Sequence, residues 1–257
     1  MKRRDFLGLQ IATILLAPFN VLAGQWSRLA FQADHVADAE KALAIEGEII
    51  SNQIEIIAPS RAENGAIVQV AVHSSIANTE AIAIFVDKNP TALIANCLFF
   101  EGALPSVVTR IKMAQTSEIK VIVKSGHRYF TAAKQVIVLE NGCGGSSTNE
   151  QFRSSMKIRA KQLANTDMAE VKAIITHPMH TGQGLDEVGQ IIPAHFVQMI
   201  QIKHNDVPAI EMQLGTGIAR NPYLTCQLQH VQLGDKISVR WQDNLGIEGQ
   251  AETSVIL

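Results

Sequence analysis

The alternation of apolar and polar residues predicts a chain made almost entirely of short strands. Val68, Val70 and Val72 alternate with polar or small residues, and a second alternating run ends at Asn89-Pro90. A period of two is typical of strands that bury one face. Two further segments, "SEIKVIVKSG" and "RYFTAAKQVIVLENG", have the pattern of neighbouring strands joined by a glycine-containing turn.

The second half of the chain continues this pattern without repeating the sequence of the first half. Turn signals at Asn205-Asp206 and at residues 243–246 separate neighbouring strand candidates. Strands at this spacing, with no helices between them, imply antiparallel sandwiches. The strand candidates of this half are "VKAIITH", "HFVQMIQIKHND", "AIEMQLG", "YLTCQLQH", "DKISVRWQDN" and "QAETSVIL".

One helix and one linker complete the predicted organisation. Val36, Ala39 and Leu43 fall on one side of a short amphipathic helix. A polar stretch rich in Ser, Thr, Asn and Gln separates the two strand-rich halves and has the composition of a linker. The predicted fold class is therefore all-β, with two antiparallel β-sandwich domains at residues 24–145 and 156–257, a linker at 146–155 and a short N-terminal helix.

The first residues predict an export signal rather than part of the fold. They combine a basic start, an apolar stretch and a small-residue cleavage site at residues 21–23. Arg3-Arg4 has the pattern of a twin-arginine signal, which directs proteins to the bacterial periplasm. A transmembrane anchor is the alternative, but Pro18 interrupts a run already short for a span of ~20 residues. We expect residues 1–23 to be cleaved, with no membrane span afterwards and a periplasmic location.

Composition limits the class of protein. With 257 residues, of which 47% are hydrophobic, the chain can bury one large core or two smaller ones. A formal net charge of −2 gives no basic excess for binding nucleic acid. Three cysteines are too few and odd in number for a disulfide scaffold. Cys97 and Cys226 lie in apolar strand patterns, so we expect them to be small buried hydrophobic residues.

Cys143 differs from the other two cysteines because glycines flank it. Gly142, Gly144 and Gly145 provide little steric cover and allow positive φ angles. An exposed thiol has a pKa near ~8.5 unless a neighbour activates it, and no histidine or lysine is adjacent in the sequence. Two interpretations fit these residues: an accessible nucleophilic thiol, or a glycine turn in which the cysteine is incidental.

The histidines of the second half raise the question of a metal site. His177 and His180 are three residues apart in "HPMH", and His195 follows fifteen residues later. No cysteine pair accompanies them, so a structural or interface role is favoured over a metal site. A covalent haem motif is also missing from the sequence. We predict no metal and no cofactor, and we take His177, Pro178, Met179 and His195 as candidate interface residues.

Longer motifs resemble a specific family. The segment that contains "DKNP" and "TRIKMA" and ends in "NGCGG" resembles SoxY, the sulfur-carrying subunit of the bacterial thiosulfate-oxidising system. The segment that contains "HPM", "IPAHF" and "NPYL" is similar to its partner SoxZ. The resemblance covers residues 54–145 and 156 to the end, so it implies a SoxY–SoxZ fusion in one chain. It also implies that both sandwiches are immunoglobulin-like.

The resemblance implies a carrier rather than an enzyme. Cys143 is then the covalent attachment point for thiosulfate-derived sulfur, on an arm hinged at Gly142, Gly144 and Gly145. The partners implied are a haem c-containing thiosulfate-coupling protein, a manganese thiohydrolase and, where present, a sulfane dehydrogenase. One departure is that Asn141 replaces the first glycine of the family's arm. A second is that the family's cysteine lies at a free C-terminus, whereas this arm is tethered at both ends.

Two alternatives remain open from the sequence. The chain is then either a fused carrier for another periplasmic system, such as a quinoprotein dehydrogenase pathway, or a non-covalent binding module with an incidental cysteine. Both carrier hypotheses predict a covalent adduct on Cys143, and the binding module predicts none.

Overall fold

A computed structural model describes residues 28–140 and 154–257 of the chain. The predicted signal peptide at 1–23 lies outside the described residues, as do Cys143 and the glycines beside it. Only the last two residues of the predicted linker at 146–155 are described, and Ser155 already belongs to a strand. Among the described residues, no helix is long and apolar enough to cross a membrane.

The structure describes a short α-helix and sixteen strands, and residues 28–30 are also helical. The N-terminal half has α1 (Val36–Ala42), β1 (Ile49–Ile50), β2 (Ile54–Ile57), β3 (Arg61–Asn64), β4 (Val68–Ser74), β5 (Ala81–Val86), β6 (Leu93–Phe99), β7 (Ala103–Ile111), β8 (Ser117–Ser125) and β9 (Arg128–Glu140). The C-terminal half has β10 (Ser155–Gln162), β11 (Ala169–Thr176), β12 (Val197–His204), β13 (Val207–Leu214), β14 (Tyr223–Leu228), β15 (Lys236–Asp243) and β16 (Glu248–Ser254).

The strands form two sheets, and each sheet runs through both halves of the chain. The larger sheet has the order β1-β9-β8-β5-β6-β13-β12-β15-β16, with β3 paired to β9, and the smaller has β10-β11-β14-β7-β4-β2. Antiparallel pairs β6–β13 and β7–β14 join the halves. The prediction of an all-β sandwich fold is confirmed. The continuity of both sheets across the halves was not predicted.

The alternating pattern of β4 is confirmed, because Val68, Val70 and Val72 are buried. In β5, by contrast, all six residues are buried. Its Ala83 and Phe85 lie in a second apolar cluster that includes residues of the N-terminal helical segment. The predicted helix is therefore confirmed, and it explains why β5 has no exposed face.

The predicted turn between β12 and β13 is also confirmed. Asn205 and Asp206 have φ angles of 46° and 68°, as a two-residue hairpin with both central residues left-handed requires. The sheets are not purely antiparallel, because β1 and β3 pair with β9 in parallel. Between β1 and β3 the chain passes through β2 in the smaller sheet. It then returns to the larger sheet, so β3 runs in the same direction as β1.

Cys97 and Cys226 lie beside the joins between the halves. Cys97 pairs with Met212 across β6–β13, and Cys226 pairs with Val107 across β14–β7. Both are buried free cysteines, and burial raises the pKa of each thiol to about 12. Thiols held protonated in this way are poor nucleophiles. The prediction that they are small buried hydrophobic residues is confirmed.

Candidate functional site

The two strand ends that flank the undescribed residues 141–153 lie at one end of the sandwich. We call it the linker end, defined by Glu140, where β9 ends, and Ser155, where β10 begins. Antiparallel pairing places the end of β9 beside the start of β8 and the start of β10 beside the end of β11. The same register brings the end of β7 and the starts of β4 and β14 to this end.

Hydrogen bonds connect these strand ends. The Glu140 carbonyl accepts the N–H of Gly65 at 2.8 Å, and the Gly65 carbonyl accepts that of Met113 at 2.7 Å. On the other side, the hydroxyls of Ser155 and Thr176 lie 2.9 Å apart, directly before His177. The histidine-bearing segment therefore starts at the linker end, next to one anchor of the segment that carries Cys143.

Asp243, the last residue of β15, is the centre of a buried cluster at this end. Its Oδ1 accepts the N–H groups of Leu245 at 2.9 Å and Ile247 at 2.8 Å. Its Oδ2 lies 2.8 Å from Nε2 of His195. Burial by itself raises the pKa of this carboxyl, but the hydrogen bonds from His195 and from the two backbone N–H groups outweigh burial and lower it. Asp243 is therefore ionised although it is fully buried.

His177 is the second histidine of the cluster and is also fully buried. Its Nδ1 accepts the N–H of Met179 at 3.2 Å, so the neutral ring carries its proton on Nε2. That nitrogen lies 3.4 Å from Oδ2 of Asp243, and the ring packs edge-on against His195 with centroids 4.5 Å apart. Burial, followed by repulsion from His195, lowers the pKa of His177 to about 4.

These hydrogen bonds bear on the question of a metal. One ligand atom from each of His177, His195 and Asp243 lies within 4.8 Å of the other two. A histidine that binds a metal through Nε2 keeps a proton on Nδ1 and donates it to a neighbour. At His177 that proton would point at the N–H of Met179 instead of at an acceptor. The arrangement therefore favours a hydrogen-bonded structural cluster, and the absence of a metal remains a prediction.

Met179 connects this cluster to the N-terminal half. It has a φ of 55°, which is uncommon for a residue other than glycine. Its sulfur lies 3.2 Å from the N–H of Val197, and its carbonyl accepts Nζ of Lys112 at 2.5 Å. Lys112 is only 8% exposed and also donates to the carbonyl of Thr216 at 3.1 Å. Met179, one of the four candidate interface residues, is thus hydrogen-bonded to the other half.

Sequence reasoning missed Asp243 and Lys112. Residues 243–246 were recognised as a turn, and in it Asn244 accepts the N–H of Phe196 at 2.7 Å and donates to the Ala194 carbonyl at 2.9 Å. The turn therefore clamps the segment that holds His195. An Asp-Asn pair directly after a buried strand is a signal for such side-chain-stabilised turns. The sequence carries no comparable signal for Lys112.

The comparisons with known proteins match the two halves separately. Residues 40–143 match the family of the sulfur oxidation protein SoxY, and residues 156–254 match that of the sulphur oxidation protein SoxZ. The chain belongs to both families, as a SoxY–SoxZ fusion. The predicted resemblance is thereby confirmed, and the halves are hereafter the SoxY half and the SoxZ half.

Similar solved structures include one SoxY. The sulfur carrier protein SoxY from Chlorobium limicola f thiosulfatophilum is 35% identical, with 40% of this chain and 94% of that chain covered and a TM-score of 0.38. A beta-glycosidase from Bacteroides vulgatus is 10% identical, with 85% of this chain and 26% of that chain covered and a TM-score of 0.26. No curated protein matches the chain.

The limits of the two family matches fit the arrangement of the fold. The SoxY match ends at Cys143, three residues after β9, and the SoxZ match begins at Met156, the second residue of β10. The cluster of His177, His195 and Asp243 belongs to the SoxZ half, and Lys112 belongs to the SoxY half. Residues of the SoxY half and of the SoxZ half therefore form the linker end together.

Proposed function

We propose that this fusion is a covalent sulfur carrier that holds thiosulfate-derived intermediates on the thiol of Cys143. The observation that carries the proposal is the SoxY match, which extends to Cys143 and ends there. The two other cysteines are buried with pKa values raised to about 12, so neither offers a competing nucleophile. Gly142, Gly144 and Gly145 serve as the hinge that lets the thiol reach a partner's active site.

The carrier acts as a substrate handle, and partner proteins supply the chemistry. A haem c-containing protein couples thiosulfate to the Cys143 thiolate, which forms a sulfur–sulfur bond and passes two electrons to the haem partner. A manganese thiohydrolase then uses water to release the terminal group as sulfate and leaves a persulfide on the cysteine. A sulfane dehydrogenase, where present, oxidises that remaining sulfur. The chain itself needs no metal or cofactor for this role.

The fusion restricts how the thiol is presented. Cys143 is three residues beyond Glu140, so its backbone lies within about 10 Å of the end of β9. Residues 141–155 span at most about 50 Å when extended. They join β9, which lies against β2 at one lateral edge of the sandwich, to β10, which lies against β16 at the other. A partner must therefore accept the thiol on a segment that is tethered at both ends. We expect the partner's active site to be an open groove that faces the linker end.

The proposed location is the periplasm. The basic start, the paired Arg3-Arg4 and the small residues at 21–23 favour export before the carrier meets its partners. Cleavage after residue 23 leaves a mature chain whose first described residue, Arg28, donates to the Leu214 carbonyl of the SoxZ half at 3.1 Å. The side chain of Arg28 therefore contacts the SoxZ half.

A reconstituted turnover assay tests the proposal. The mature chain, the haem c partner, the manganese thiohydrolase and thiosulfate are combined, and both sulfate release and cytochrome reduction are followed. We expect both signals with the natural chain and with Cys226→Ala, and neither with Cys143→Ser. Equal turnover with Cys143→Ser would contradict the proposal. Cytochrome reduction that depends on a different substrate would instead indicate a carrier for another periplasmic system.

A further inference from the structure

A small cavity lies at the linker end, between the SoxY half and the SoxZ half. Its volume is about 80 Å³. That is more than the ~30 Å³ of one water molecule and far less than the ~300 Å³ of a pocket for a drug-sized ligand. The residues that line it and bear on its chemistry are Asn89, Thr91 and Lys112 from the SoxY half and Thr181, Gln183 and Thr216 from the SoxZ half.

A fixed positive charge lies at the wall of this cavity. Lys112 is 8% exposed, and its ammonium group donates to the carbonyls of Met179 and Thr216 at 2.5 and 3.1 Å. Thr216 is itself part of the wall. The ammonium group is therefore held beside the cavity by backbone atoms of the other half, and its low exposure strengthens the effect of its charge on a nearby ligand.

His180 lies next to the cavity in the sequence, and Lys112 is one of the groups that act on it. Burial lowers the pKa of this histidine first, and the positive charges of His195, Lys112 and Arg220 lower it further. His180 precedes Thr181, which lines the cavity. Burial is the main cause of this lowered pKa and the cationic neighbours add to it, so Lys112 is the positive charge that bears on the cavity and favours an anionic ligand.

Hydroxyl groups supply neutral donors beside this charge. The hydroxyl oxygens of Thr91 and Thr216 lie 3.4 Å apart, one from each half, and Thr181 and Gln183 line the same space. The charge of the ammonium group together with hydroxyl and amide donors suits the oxygens of a small oxyanion. Carboxylates are not among the residues that line the cavity.

We propose that this cavity binds a small tetrahedral oxyanion, such as sulfate or the terminal sulfonate group of a sulfur adduct. Binding of the adduct's sulfonate group rests on the proposed carrier function, whereas binding of sulfate does not. The cavity lies at the end of the sandwich where both anchors of the Cys143 segment, Glu140 and Ser155, are located. It therefore provides a place to hold the charged end of an adduct, or the sulfate released from it, beside the carrier.

Calorimetric titration of the full mature chain with sodium sulfate tests the site, at an ionic strength kept constant with sodium chloride. We expect saturable binding of one sulfate per chain. The double variant Thr91→Val/Thr216→Val removes two donors with little change of shape, and we expect it to weaken sulfate binding about tenfold or more. Thr253→Val, on β16 away from the cavity, is the matched control and should bind like the natural chain.

Two results would overturn the proposal. One is no saturable sulfate binding by the natural chain, and the other is unchanged affinity in the Thr91→Val/Thr216→Val variant. The thermal unfolding temperature without sulfate should stay close to that of the natural chain in both valine variants, which shows that a loss of affinity does not come from misfolding.

Loading Cys143 distinguishes the two sources of the oxyanion. The thiolate attacks the central sulfur–sulfur bond of tetrathionate, gains a –S–SO3⁻ group and releases thiosulfate, so no other oxidant is required. If the adduct's sulfonate occupies the cavity, the loaded chain no longer binds sulfate. If only free oxyanions bind, loaded and unloaded chains bind sulfate equally. If the adduct forms on a chain that does not bind sulfate, the cavity is not an oxyanion site, but the carrier function still holds.

Discussion

The ammonium group of Lys112 in the SoxY half donates a 2.5 Å hydrogen bond to the carbonyl of Met179 in the SoxZ half. Met179 in turn donates its N–H to His177, which faces Asp243. A single lysine therefore connects the SoxY half to the buried histidine cluster of the SoxZ half. The arrangement makes the contact between the halves part of the site and not only a scaffold for it.

Replacing this lysine should destabilise the whole sandwich. Lys112→Met retains most of the apolar stem but leaves two buried carbonyls without the ammonium group. Since hydrogen bonds to charged groups are worth ~1.5–3 kcal/mol each, we expect a loss of about 3 kcal/mol in the free energy of unfolding. Urea denaturation measures it. Lys157→Met, at an exposed position of β10, should change stability by less than about 0.5 kcal/mol, and an equal loss in both variants would refute the role of Lys112.

The low pKa of His177 makes stability depend on pH. The folded state holds this histidine neutral down to about pH 4, whereas in the unfolded chain it takes up the proton near the ordinary histidine pKa of 6.5. Between these values the unfolded state binds more protons, so stability is complete above pH 6.5 and falls as the pH drops toward 4. The lowered pKa of His180 acts in the same direction, and that of Asp243 acts only below 3.8. His177 alone should lower the free energy of unfolding by about 3 kcal/mol as the pH falls from above 6.5 to 4.

Urea denaturation at several pH values between 4.5 and 7.5 tests this dependence. His177→Gln should be less stable at neutral pH and show a shallower fall in stability as the pH decreases. His127→Gln, in the turn between β8 and β9, should keep the slope of the natural chain. A slope that does not change in His177→Gln would show that another group controls the dependence.

Two substitutions of Asp243 separate the contribution of the turn to stability from that of the histidine contacts. Asp243→Asn keeps a carbonyl oxygen for the N–H groups of Leu245 and Ile247 but no longer offers a charged partner to His195. Asp243→Ala loses both. We expect thermal unfolding to show a loss of about 2 kcal/mol for the asparagine variant and about 4 kcal/mol for the alanine variant. Equal losses would mean that the turn hydrogen bonds contribute nothing beyond the histidine contacts, and an asparagine variant as stable as the natural chain would mean that the charged contact to His195 contributes nothing.

Cutting the linker should leave the two halves associated. The backbone pairs β6–β13 and β7–β14 and the Lys112 contact all join the halves without the linker. A protease site inserted between residues 146 and 153 should yield two fragments on a denaturing gel but one peak in size-exclusion chromatography. Two separate peaks would contradict this. Met212→Lys, which places a charge at the buried β6–β13 join, should separate the cut fragments.

Local pattern predicted the strands well because an alternating strand depends mainly on its own residues. The hairpin at Asn205-Asp206 was predictable for the same reason, since its left-handed backbone requires particular residue types. The burial of both faces of β5 was not predictable, because the second face is covered by a helix from a distant part of the sequence.

The candidate site was predicted only in part. The histidines of "HPMH" and "IPAHF" attracted attention as residue types, but their partner Asp243 is 66 residues from His177 and reaches it only through the pairing of β12 with β15. Lys112 resembles any charged residue at a strand end until the second half packs against it. The role of Cys143 came from the family resemblance, because the flanking glycines fit an incidental turn equally well.

Mass spectrometry of the mature chain, purified without reductant from thiosulfate-grown cells, shows whether Cys143 carries sulfur. We expect a peptide in which Cys143 carries added sulfur or a thiosulfate-sized mass, with Cys97 and Cys226 unmodified, and no such mass in Cys143→Ser. A free Cys143 thiol that also stays unmodified when the chain is mixed with thiosulfate and the haem c partner would contradict the carrier function.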